Sequence, residues 1–332
     1  MSKALAWVIG KGGLLGTHLT RRLAEPAARA KGELWPGPRD PFRWTDVRVL
    51  PDQLSGAVAA FADAVRRGEH EHWTLIWTAG CGVIGSPPEA LERETGIWRF
   101  LLDLLHRHLD QFDSPPGTIF LASSAGGLHG KGADQPITEE SRPEPASDYG
   151  RHKLLQEMTL RSWAEQHPHI GYVIGRIANL YGPGQNLSKP QGLISHLSRC
   201  LIWHRPVCVY VPLDTIRDYI YAEDCAELIV QCLARARAMG PACRTVKLLA
   251  SGEAQSVARI IGAFTQLARR QPQITCSPSA RSSLQARKLQ FRSTVWPDLY
   301  RSRPTPLVLG VRRVHEHQMS LFARGLLPAE PV

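Results

Sequence analysis

The chain has 332 residues, 43% of them hydrophobic and 21% charged, with a formal net charge of +10. This composition excludes a disordered or fibrous polymer, and the length suits a well-buried core in one large and one smaller lobe. No apolar stretch approaches the ~20 residues of a membrane span, so no membrane partner is expected.

Short apolar runs alternate with amphipathic stretches, the pattern of a parallel α/β sheet. Strands are predicted at 4–9, weakly at 33–35, and at 74–78, 118–122 and 171–175. Helices are predicted at 14–24, 51–67, 89–108, 149–166 and 222–236. The Pro/Gly-rich stretches 36–42 and 131–148 read as loops. Residues 181–220 form the first excursion from the sheet. After Ser251-Gly252 comes a helical stretch, and then a basic, loop-rich tail.

The first strand runs into Gly10-Lys11-Gly12-Gly13-Leu14-Leu15-Gly16 and a helical continuation. This is the strand–turn–helix context of a dinucleotide fingerprint. Gly10 permits the tight turn, Gly13 lets the backbone approach a pyrophosphate, and Gly16 lets the helix pack on the strand. The helix N-terminus offers free N–H groups to the phosphates.

Further along, Tyr149-Gly-Arg-His-Lys153 follows the Ser-Ser-Ala-Gly-Gly run 123–127. Residues at i and i+4 share one face of a helix. A phenol titrates near ~10 in water and is a poor acid or base at neutral pH. An ammonium one turn away favours the phenolate and brings proton exchange toward the working range.

With these two signatures in this order, the chain resembles the extended short-chain dehydrogenase/reductase superfamily, in its NAD-dependent epimerase/dehydratase (nucleotide-sugar) branch. Four more segments match in order: Thr78-Ala79-Gly80, Ser123 to Gly130, Arg176 to Gly184 and Arg217 to Asp224. The resemblance spans roughly residues 4 to 265. It implies a Rossmann-type, doubly wound parallel sheet with a smaller C-terminal substrate-binding lobe. The dinucleotide-binding domain would be 1–180, also receiving 217–250; the substrate lobe would be 181–216 and 251–332. Tyr149, Lys153 and Ser124 are the implied catalytic residues, with Ser123 as the fallback for the serine. Gly10, Gly12, Gly13, Leu14, Leu15, Gly16, Thr78, Ala79, Gly80, Tyr149 and Lys153 are the implied cofactor contacts. Ser124, Ala125, His129, Asn179 and Arg217 are the implied substrate contacts, His129 as a wall of the pocket or a proton donor. Arg217 would reach a diphosphate, or else pair with Asp218 or Asp224 and only fix the lobe.

Departures from the family pattern bear on the chemistry. The second strand lacks the usual acid that binds the adenosine ribose; Glu33 comes too early, and Arg39 and Arg43 follow. A guanidinium can pair bidentately with a 2′-phosphate, so NADP is favoured over NAD. Ser124 is followed by Ala125, Gly126 and Gly127 rather than the Asp-Glu pair of related dehydratases, which argues against water elimination. The expected activity is nucleotide-sugar epimerisation through a keto-sugar. The alternatives are an NADPH-dependent ketoreductase and a non-catalytic dinucleotide-binding protein.

Basic residues thicken late, including Arg269, Arg270, Arg281, Arg287, Arg292, Arg301, Arg303, Arg312 and Arg313. No nucleic-acid motif accompanies them, so a solvated surface that also attracts an anionic substrate is expected. The seven cysteines are scattered without zinc spacing and read as reduced, mostly buried thiols. The alternating histidine pairs read as surface rings, so no metal is expected. The first strand starts too early to leave room for a signal peptide, which predicts a cytoplasmic protein. By resemblance, helices 89–108 and 149–166 would form the interface of a homodimer.

Overall fold

The strands, in chain order, are β1 (Ala4–Ile9), β2 (Glu33–Leu34), β3 (His72–Trp77), β4 (Gly117–Ser124), β5 (Ile170–Ile177), β6 (Asn179–Tyr181), β7 (Val207–Val209), β8 (Ile216–Tyr221), β9 (Arg244–Leu249), β10 (Ala254–Ser256) and β11 (Ile274–Cys276). The helices are α1 (Leu14–Ala24), α2 (Leu50–Arg67), α3 (Pro88–Leu109), α4 (Ala125–Leu128), α5 (Asp148–Glu165), α6 (Leu193–Ile202), α7 (Ala222–Met239), α8 (Val257–Ala268) and α9 (Leu307–Ala323). The computed structural model describes residues 4–26, 32–68, 70–109, 115–130, 136–188, 192–268, 272–276, 286–300 and 304–329.

A six-stranded sheet runs in the order β2-β1-β3-β4-β5-β9, every pair parallel. Its inner strands β1, β3, β4 and β5 are buried on both faces, which is why they read as nearly continuous apolar runs, while β2 and β9 at the edges are only partly covered. Alternation still assigns each side chain a face. Trp7, Leu75, Ile119 and Ile174 meet α2, α3 and α5, while Val8, Ile76, Phe120 and Val173 meet α1 and α7. Helices on both faces of a parallel sheet make this a doubly wound Rossmann-type fold.

A third apolar core lies beyond the sheet. It joins Leu197 of α6, Phe264 of α8 and Val314 of α9 to Tyr181 of β6 and Tyr221 of β8. Two small sheets belong to it, β10-β8-β6 and β11-β7. These elements form the smaller lobe. Within 217–250, α7 packs on the main sheet and β9 joins its edge, whereas β8 pairs with β6 and β10. Among the described residues, no helix is long and apolar enough to cross a membrane.

The tail differs from expectation. Residues 307–323 form a helix, with Val311, Val314 and Gln318 on its buried side. Arg312 and Arg313 between them gave the segment its polar reading, but they occupy the outer face. Arg313 pairs with Glu223, and Arg287 forms an ion pair with Asp214. Arg269, Arg270, Arg281, Arg301 and Arg303 lie outside the described residues. The cysteines are less buried than expected: Cys225, Cys232 and Cys243 are buried, Cys200 is half-buried, and Cys81, Cys208 and Cys276 are exposed. Two histidines expected on the surface are also inside. His72 lies on a strand bonded to Thr118 at 3.0 Å, and His167 stacks on Trp163 at 3.9 Å.

Candidate active site

Strand order reverses between β1 and β3, and in open α/β sheets the crevice at such a point takes the ligand. Gly10 turns there with φ +95°, and a Cβ on it would lie 2.5 Å from the Ala79 amide nitrogen. A Cβ on Gly16 would lie 2.1 Å from the Gly10 carbonyl oxygen, so α1 packs directly on the turn. The N–H and hydroxyl of Thr78 both donate to the Ile9 carbonyl at 2.9 Å, tying the 78–80 segment to the same turn. Outward, the loop is open. Among the described residues, nothing lies within 4 Å of a Cβ on Gly12, and the nearest atom for Gly13 is the Gly10 oxygen at 3.4 Å. No side chain caps α1, and a helix leaves its first-turn N–H groups without internal acceptors. Leu15 packs into the core, leaving its backbone as its polar contribution. This cradle fits a dinucleotide pyrophosphate.

Lys11 was missed in the sequence. Its ammonium donates to the Pro36 carbonyl at 3.0 Å and ties the glycine loop to the exit of β2. Arg39 and Arg43 are exposed in the segment that follows. Glu33 faces Leu5 in the parallel register, at the start of the strand.

At the carboxyl end of β4 the two serines part. Ser123 donates to Glu157 at 2.6 Å, and Glu157 is itself paired with Arg176 at 2.8 Å in a buried cluster. Ser124 caps α4, its oxygen accepting from the Gly127 N–H at 3.1 Å. Tyr149 enters from the first turn of α5, whose cap Ser147 accepts from the Gly150 N–H. The phenol ring lies between two glycines. A Cβ on Gly127 would come within 2.9 Å of its Cε1 and 3.1 Å of the Ser124 hydroxyl, and one on Gly82 within 3.4 Å of its Cδ2. Lys153 Nζ is 5.9 Å from the ring centroid.

A cavity of about 560 Å³ opens from Ser124, Gly127 and Tyr149, passes Asn179 and Tyr219, and reaches Arg199, Arg205 and Arg217. Arg217 is 7% exposed and donates to the carbonyls of Ile216 and Arg287. Burial holds its guanidinium below the ordinary value, as it does for Arg199. Asp218 accepts from Ser251 and Gly252, and Asp224 from Thr305, so both carboxylates are engaged away from Arg217. Arg199 and Arg205 were missed because their segment reads as a Gly/Pro excursion, although Leu193, Ile194, Leu197 and Leu201 carry helical spacing.

Two implied substrate contacts need correction. Ala125 and His129 are fully buried and do not line the cavity. Ala125 opens α4 on its core side, and His129 ends that helix as its C-cap. Burial, with the nearby Arg176 charge, pushes His129 down to about 4, so it is a neutral interior ring rather than a proton donor.

Comparison with known proteins fits this geometry. Residues 82–243 match the NAD dependent epimerase/dehydratase family. The match covers just under half of the chain. Over 131 residues the chain is 35% identical to dTDP-L-rhamnose 4-epimerase of Burkholderia thailandensis, covering 38% of this chain and 34% of that protein. The chain spans about a third of the length of the curated relatives it matches. The fold extends further. UDP-glucose 4-epimerase of Thermus thermophilus in complex with NAD superposes with a TM-score of 0.72 at 20% identity, over 95% of this chain and 98% of that one. RMD of Pseudomonas aeruginosa complexed with NADPH gives a TM-score of 0.73 at 20% identity, over 96% and 98%. At such identity these two structures establish the fold alone.

Proposed function

We propose that the chain is an NAD(P)-dependent nucleotide-sugar epimerase acting through a transient keto-sugar. The observation that carries this reading is one cavity with Ser124 and Tyr149 at one end and Arg199, Arg205 and Arg217 at the other. A sugar diphosphate has the matching polarity, a hydroxylated ring joined to an anion. Guanidinium groups in a partly dry pocket suit phosphate oxygens.

In this mechanism Ser124 holds the reacting sugar oxygen and Tyr149 takes its proton. Lys153 keeps positive charge one turn below the phenol, and Asn179 holds a sugar or phosphate oxygen. When bound, the dinucleotide supplies the hydride acceptor and returns the hydride. The arginines keep the diphosphate anchored while the keto-sugar turns its other face. Ala125, Gly126 and Gly127 carry no acid after Ser124, which supports epimerisation over elimination.

NADP(H) is the dinucleotide in this reading, supported by Lys11, Arg39 and Arg43 around the exit of β2, where Trp35 and Pro36 rather than an acid directly follow the strand. Residues 181–216 and 251–332 carry most of the nucleotide-sugar contacts, and two copies pair across α3 and α5. The test is to incubate purified protein with a panel of nucleotide sugars and either dinucleotide, following stereochemistry at C4. Inversion at a single carbon is expected. No inversion with any sugar removes the reading.

A further inference from the structure

Lys153 does not turn its ammonium into the cavity. Nζ is 2.9 Å from Oε1 of Glu94 on α3 and 3.1 Å from Oε1 of Gln156, and the side chains of Lys153 and Glu94 are each 9% exposed. The other carboxylate oxygen, Oε2, accepts the backbone N–H groups of Cys81 and Gly82, each at 3.1 Å. Gly82 is the residue that walls the Tyr149 ring on the side opposite Gly127. One buried carboxylate thus touches the lysine of the pair and the loop that backs the tyrosine.

We infer that Glu94 is the positioning residue of the Tyr149–Lys153 pair, offsetting the lysine charge and clamping the 81–83 loop against the phenol ring. A structural glutamate would need only one of these contacts, whereas here the two oxygens are divided between them. Burial alone would raise the Glu94 carboxyl, but Lys153, the Gly82 N–H and Gln156 hold it down at about 2. Burial would likewise lower Lys153, but Glu94 prevails and raises it. The pair therefore stays ionised through the working pH range. Lys153 is coupled to Glu94 on α3, to Cys81 on the adjoining loop and to the Tyr149 phenol. The Ser124 hydroxyl faces it from the end of β4.

The turnover arm of the test rests on the epimerase reading; the titration arm does not. Full-length protein carrying ¹³C-labelled tyrosine is titrated by NMR, with Tyr149→Phe identifying the Tyr149 signal. In Glu94→Gln the lysine charge is no longer offset, so the signal should move to its ionised position about 1 pH unit or more below wild type. In a Lys153→Met background the same change should move nothing, because the two residues act as a unit. The acid limb of the turnover profile should shift with the signal. An unmoved signal with only a lower Tm would overturn the proposal and leave Glu94 a structural residue. A shifted signal without turnover of any nucleotide sugar keeps the proposal and removes the epimerase reading. Should the amide variant not fold, Glu94→Asp serves instead. Its shorter arm cannot reach Lys153 and both loop amides at once, so the signal moves part of the way; no movement overturns the proposal.

Discussion

At the Tyr149 end of the cavity, a few residues from the ends of β3 and β4 and the start of α5 are wedged together. The ring is bracketed by Gly82 and Gly127, and Glu94 accepts from both the Gly82 N–H and the Lys153 ammonium. At the arginine end, the lining comes from α6, the segment after it and β8. The first end is built on the two central, buried strands of the main sheet, a closely packed and hence rigid base for chemistry that tolerates little displacement. The second is built from later, shorter elements whose task, in the proposed reading, is to hold an anion. Loss of a group from the rigid end should therefore act on the rate, and loss from the arginine end on affinity.

Tyr149→Phe should break the rigid end outright. Packing is kept and the exchangeable proton is lost, so kcat should fall by ~10²-fold or more while Tm hardly moves. A variant keeping more than about a tenth of wild-type kcat would exclude Tyr149 as the acid–base group.

Arg217→Ala should mark the other end, raising KM for an intact nucleotide sugar by about tenfold or more with little change in kcat. A free keto-sugar, which has no diphosphate, should be handled as by wild type. If both substrates suffer and Tm drops, Arg217 is a structural residue. Unchanged KM for every nucleotide sugar would remove the anchor assignment.

A smaller effect is expected outside the cavity. Replacing Arg39 and Arg43 together with alanine should weaken NADP(H) binding more than NAD(H) binding, shifting preference by about tenfold. Equal losses for the two dinucleotides would show that these arginines do not read the 2′-phosphate. Adding Lys11→Ala sharpens the comparison, since Lys11 already reaches Pro36 beside them.

The mildest test concerns acid. His129 is held at about 4 in the folded chain, below its ordinary value, and His72 likewise. An unfolded chain takes up these protons as pH falls below about 6.5, whereas the folded chain resists until about 4. Stability present above 6.5 should thus be lost as pH falls through that window. His129→Leu should flatten part of the fall in Tm, leaving the share due to His72, and turnover at pH 7.5 should stay within a few-fold. A large loss of turnover would return His129 to the site.

The parts of the site legible in the sequence are those where one short segment carries both the residue and its geometry. Gly10, Gly13 and Gly16 sit at a strand–helix junction, and Tyr149 and Lys153 share one helical face. Glu94 stayed hidden because a glutamate in a helix reads as solvated. Its spacing from Leu91 and Trp98 places it on the buried stripe of α3 and was the available signal. Arg199 and Arg205 depend on α6 being recognised as a helix, and prolines and glycines around it masked that. β9 was missed because Arg244 and Lys247 interrupt it, whereas β1, β3, β4 and β5 were readable because they are largely apolar. α9 was not, because its buried stripe is narrow and two arginines interrupt it.

The place of β9 has a practical consequence. All eight residues of β5 are buried, and β9 covers the edge that β4 leaves open. A chain cut at residue 180 would retain the glycine loop, Ser124, Tyr149 and Lys153, yet expose a long apolar strand edge ready to join another molecule. The two lobes are interwoven by sequence, so neither half can be excised or exchanged for that of a relative at a single junction. Grafting a different sugar specificity onto this scaffold would have to proceed segment by segment, leaving α7 and β9 in place.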